Sequence, residues 1–63
     1  MNENDVIADM LTKVKPYIGT PVKQSSFSNT IIRHKAGLLK PATLFKFLND
    51  MGYTKTSEGW IKN

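Results

Sequence analysis

Cysteine is absent from all 63 residues, so neither a disulfide framework nor a thiolate zinc site can hold this chain together. Its order has to come from packing. Histidine occurs once, at His34, with no second ligand at helical spacing, and Asp50 and Glu58 have no partner acid for general acid–base work. The expectation is therefore a protein with no catalytic residues, no metal ligands and no cofactor, in a chain with little room for an enzyme's pocket. Long apolar runs are also missing. No stretch approaches a bilayer span, and the N-terminal residues are acidic and polar where a secretory leader would be basic and then apolar, which predicts a cytoplasmic protein with no membrane partner.

Negative charge is scarce and unevenly placed. Five Asp and Glu oppose nine Lys and Arg, a net charge of +4, and three of the five acids (Glu3, Asp5, Asp9) fall within the first ten residues. From Leu11 onward only Asp50 and Glu58 face all nine basic residues, a local balance of +7. Such a body either turns a positive surface toward a polyanion or carries scattered lysines for solubility, and charge alone does not choose between the two. The 40% apolar share is enough for a compact core, and the length allows one domain, 1–63, of marginal stability.

The stretch from His34 to Gly52 organises the rest. Pro41 suits a first helical position, because that N–H has no intrahelical partner, and Gly52 suits the stop. Between them Leu44, Phe47, Leu48 and Met51 recur at i, i+3, i+4 and i+7 and should face a core. The opposite face then presents Ala42, Lys46 and Asn49, with Phe45 on one shoulder and Thr43 and Asp50 on the other. A first helix is expected to be capped by Asn2 or Asn4, to carry Ile7, Met10, Leu11 and Val14 inward, and to end at about Lys15 because the Pro16 ring would clash with the carbonyl of Thr12. After a turn at Gly19 to Pro21, Thr20 to Lys23 reads as a short edge strand. Ser25, Ser26 and Ser28 offer N-caps for a second helix to about Lys35, with Phe27, Ile31, Ile32 and Ala36 inward, and the leucines of the Ala36–Leu39 turn should insert between helices. Tyr53 with Thr54, and Trp60 with Ile61, are β-formers around a polar loop and predict a hairpin anchored on Tyr53 or Trp60. The expected class is α+β: three helices plus a C-terminal β-hairpin, with the short strand near 20–23.

This succession resembles the winged helix-turn-helix superfamily, and AGLLKPATLFKFLND is similar to the wording of repressor-type helix-turn-helix segments. The turn between Gly37 and Leu44 carries one residue more than the repressor pattern, which favours the winged form; Arg33 also stands where that pattern prefers alanine. The resemblance implies a DNA-binding protein, a transcriptional regulator or accessory factor, whose third helix reads the major groove of double-stranded DNA. Recognition roles would fall on Lys40, Ala42, Thr43, Lys46 and Asn49, wing roles on Lys55, Thr56, Ser57 and Lys62, and phosphate contacts on Gln24, Ser25 and Ser26 at the second helix's N-terminus. A homodimer on two half-sites would suit so small a reader. Winged helices also dock on proteins, so a host or partner protein is the alternative ligand. A third likeness, of TLFKFLNDMGY to small toxin ribonucleases, fails because the catalytic histidine that family carries on the next strands is missing.

Overall fold

The computed structural model describes the whole chain, Met1–Asn63. It shows an α+β domain of three helices, α1 (Glu3–Leu11), α2 (Gln24–Lys35) and α3 (Pro41–Asp50), followed by an antiparallel hairpin of β1 (Tyr53–Thr56) and β2 (Gly59–Lys62). The hairpin pairs Tyr53 with Lys62 and Lys55 with Trp60, so Tyr53, Lys55, Trp60 and Lys62 share one face. Tyr53 and Trp60 are both buried, and both therefore anchor the hairpin.

The core gathers Val6, Ile7 and Met10 from α1, Phe27 and Ile31 from α2, Phe47 and Leu48 from α3, and Met51, Tyr53 and Trp60 after it. No polar or charged residue is buried with them. Tyr17, Phe27 and Phe47 form a run of tilted rings with centroids 5.7 and 5.9 Å apart, tying the segment after α1 to both later helices. The inward stripe of α3 is the expected one: Phe47, Leu48 and Met51 are buried, and Leu44 is half-buried against them. Gly52 follows with φ of +95°, a conformation that stops a helix cheaply only at glycine.

Four expectations need correction. First, α1 ends at Leu11, one turn short of Lys15. The Thr12 hydroxyl donates to the Asp9 carbonyl at 2.6 Å, and the N–H groups of Thr12 and Lys13 reach only three residues back, which tightens and ends the last turn. Lys15, directly before Pro16, has φ of +59°, away from the right-handed region that a following proline disfavours. Val14 is consequently 87% exposed, Leu11 is exposed as well, and Val6 takes the inward place instead.

Second, residues 20–23 form a turn and no strand. The Thr20 hydroxyl donates to the Tyr17 carbonyl and accepts from the Val22 N–H, which removes the donor that a strand would have used. The outer edge of β2 is already taken: the Trp60 N–H donates to the Met1 carbonyl at 2.7 Å, and the Met1 nitrogen donates back to the Trp60 carbonyl at 3.0 Å. A Cβ on Gly59 would lie 2.8 Å from that Met1 oxygen, so the close approach demands glycine.

Third, α2 begins before its serines. Lys23 occupies the cap position and no side chain caps the helix, so Ser25, Ser26 and Ser28 are helical residues instead of caps. Fourth, Ile32 (64% exposed), Ala36 and Leu38 (75% exposed) do not enter the core, and Leu39 is only half-buried. Phe27 and Ile31, one helical turn apart, are enough to seat α2, and residues one position later on the helix turn outward.

Candidate nucleic-acid interface

With Phe47, Leu48 and Met51 inward, helical geometry turns Ala42, Lys46 and Asn49 to the other side, and all three are exposed along with Lys40 and Thr43. The Lys46 side chain is 80% exposed. Its ammonium nevertheless sits 3.0 Å from the Asp50 carboxylate, one helical turn on.

Beside this face lies an open cleft of about 430 Å³ between α3 and the beginning of α2. Thr43, Lys46 and Asp50 form one wall, Ser26 and Thr30 the other, the Pro21–Lys23 turn closes one side, and Phe47 lines it as well. Ser26, Thr43 and Lys46, assigned to two different roles on sequence grounds, therefore share one concavity. Gln24 and Ser25 are exposed at the same helix end. The N–H groups of the first residues of α2 have no intrahelical acceptor, and the chain gives them no side-chain cap and no acid in the first turn. That leaves the positive end of the helix dipole unopposed next to Lys23 and Lys46.

The hairpin's polar residues have different surroundings. Lys55 Nζ stands 5.8 Å from the centroid of the Trp60 ring, close enough to Glu3 to act on its charge, and Lys62 Nζ stands 5.7 Å from that of Tyr53. The Thr56 hydroxyl donates to the Gly59 carbonyl and accepts from the Glu58 N–H, so it holds the turn. Ser57 is exposed at the tip. The twelve sequence-chosen residues thus divide into a cleft-and-ridge group from α2 and α3, and a hairpin group whose two lysines lean back over the inward-facing aromatics toward α1.

Electrostatics follow the same division. Asp9 is held below its usual range, first by the Tyr53 hydroxyl, which donates to it at 2.5 Å, and then by Lys13 and Lys62, against the opposing effect of desolvation. Burial, then the bond to Asp9, pushes Tyr53 up to about 12. Lys62 is pulled down by the neighbouring Lys13 side chain first, with desolvation adding and Asp9 opposing. Glu3 is lowered first by the backbone N–H at the start of α1 and next by the Trp60 indole. Although Glu3 lies near enough to feel that indole, the buried Trp60 Nε1 makes no hydrogen bond of regular geometry. Glu3, Trp60, Pro41, Leu44 and Phe45 line a second groove of about 390 Å³, where the Phe45 and Trp60 rings meet at 5.0 Å. His34 Nε2 lies 3.2 Å from the Asn4 side-chain oxygen and links α2 to α1.

Two charged residues of the cleft were not among the sequence candidates, Lys23 and Asp50. Lys23 carried a signal that could have found it: a lysine just ahead of the acid-free, serine-bearing helix start Gln24 to Ser28. Asp50 carried another, its i, i+4 spacing from Lys46. No helix in the fold is long and apolar enough to cross a membrane. Compared with family models, with curated proteins and with solved structures, the chain finds no match in any of the three.

Proposed function

We propose that this protein is a small DNA-binding protein, a transcriptional regulator or accessory factor of the winged helix-turn-helix kind. In this reading α3 lies in the major groove, the open N-terminus of α2 meets an adjacent phosphate, and the hairpin turn around Lys55, Thr56 and Ser57 reaches the flanking backbone. The observation that carries it is the pairing of an exposed, basic, amide-bearing α3 face with an uncapped α2 N-terminus across one cleft. The first suits base edges: Lys46 can donate to guanine or phosphate, Asn49 can pair with adenine, and the Ala42 methyl can meet a thymine methyl. The second suits a phosphate, because backbone N–H groups and the helix dipole both favour an anion there. One copy offers few base contacts, so two copies on paired half-sites would add specificity.

The test is affinity for duplex DNA as a function of salt. Binding that weakens steeply and linearly on a log–log plot, with a slope corresponding to several phosphates, is the expected result. Affinity that is absent at low ionic strength, or indifferent to salt, would contradict the proposal.

A second reading, a module that docks on a partner protein, is favoured by one separate observation. The groove between Phe45 and Trp60 is lined by those two rings, Pro41, Leu44 and Glu3, and Phe45 is 46% exposed. Protein docking predicts that a partner perturbs Phe45 and Trp60 while duplex DNA leaves the whole spectrum unchanged.

A further inference from the structure

Asp50 is hard to explain by stability. It stands at the last position of α3, where the negative end of the helix dipole disfavours a carboxylate, and no basic residue occupies that last turn to offset it. Its one ion pair, with Lys46, runs in the weaker order, base before acid, and its lysine is largely exposed. Yet its carboxylate is held in the cleft, 3.0 Å from Lys46 and on the wall opposite Ser26. A phosphate entering that cleft would need the Lys46 ammonium and the N–H groups at the start of α2. It would meet a carboxylate already holding the first and repelling it from the second.

We propose that Asp50 is an internal competitor for backbone phosphate, which occupies Lys46 and so lowers the affinity of the α2–α3 cleft for DNA of any sequence. This rests on the DNA-binding reading above. The competition acts through Lys46, which shares the exposed face of α3 with Ala42 and Asn49 and lies about one helical turn from each.

The experiment is a double-mutant cycle read by fluorescence anisotropy on a mixed-sequence duplex, over a range of salt, with the full chain and its Asp50→Asn, Lys46→Gln and double variants. Asp50→Asn should tighten binding about three- to tenfold at low salt and steepen the log–log salt slope by about one. In the Lys46→Gln background the gain should shrink to less than about twofold. The thermal midpoint of Asp50→Asn should be unchanged or slightly higher, which shows that the fold is intact. An equal gain in both backgrounds would mean that net charge alone is at work and would overturn the proposal. Binding by the parent protein with no tightening in Asp50→Asn would overturn it while leaving the DNA reading in place, whereas no binding by any variant would overturn both.

Discussion

At the start of α1 the free backbone N–H groups are met by the chain itself. Asn2 accepts from Asp5, Asp5 returns the bond to the Asn2 N–H, and Glu3 adds a second acid to the first turn. At the start of α2 nothing corresponding is supplied: Lys23 stands in the cap position, no side chain caps, and the first turn carries no acid. The first turn of α3 has the same character, with Lys40 in the cap position and Pro41 behind it. The difference shows where this small domain uses its charges for folding and where it leaves them free. Acids are concentrated on α1, where the capping box, the Tyr53–Asp9 bond and the Lys13–Asp9 pair tie that helix to itself and to the hairpin. Around the α2–α3 cleft, positive charge and open N–H groups stand without such partners, save for Asp50.

The sharpest way to break the comparison is to reverse a charge on the open side. Lys46→Glu should leave the fold intact, because the side chain is exposed, and should weaken duplex binding by roughly tenfold or more at low salt. Loss of folding, seen by circular dichroism, would mean that the phase of α3 is wrong. On the closed side, Asn2→Ala removes the cap of α1 and should cost about 1 kcal/mol, a fall in thermal midpoint of several degrees, with DNA affinity unchanged. The two regions can also be made alike. Gln24→Glu gives α2 the acidic first turn that α1 has, and should stabilise the protein by about 0.3–1 kcal/mol while weakening DNA binding, so that melting and anisotropy move in opposite directions.

The smallest effect is one of pH. Asp9 is depressed, so its contribution is present above the ordinary carboxylate range and is lost as pH falls through its lowered folded value. Tyr53 is raised, so its contribution is complete below pH 10.0 and is lost as pH climbs toward about 12. Tyr53→Phe removes both the titrating phenol and its bond to Asp9 and should flatten the stability profile at both ends, as followed by denaturant melts across pH.

Much of this architecture is legible in the chain because the strongest signals are local. Pro41 and Gly52 bracket α3, and Leu44, Phe47, Leu48 and Met51 set its phase, so the exposed ridge of Ala42, Lys46 and Asn49 follows without tertiary information. The hairpin is equally plain from Tyr53, Trp60 and the polar loop between them. What is not legible depends on competition between distant groups. The edge of β2 is filled by Met1, nearly the whole chain away, and Val22 loses its N–H to Thr20, so the pattern at 20–23 had no partner strand to join. Pro16 signals an end to α1 but not how many residues before the ring the last turn tightens. The serines before Phe27 look like caps, yet the seat made by Phe27 and Ile31 lets α2 begin one residue earlier than the first of them. Of the candidate residues, those on α3 could be placed from spacing. Their meeting with Ser26 across one cleft, and the retreat of Lys55 and Lys62 toward α1, required the packed structure.

The central claim is that the α2–α3 face, flanked by the hairpin tip, and not the face of α1, meets a polyanion. Two-dimensional NMR of labelled protein titrated with duplex DNA addresses it residue by residue. The account predicts that the amides of Gln24 to Ser26 and Lys40 to Asn49 move together, while those of Glu3 to Leu11 stay in place. Shifts confined to α1, or centred on Phe45 and Trp60 with the α2 N-terminus silent, would contradict it.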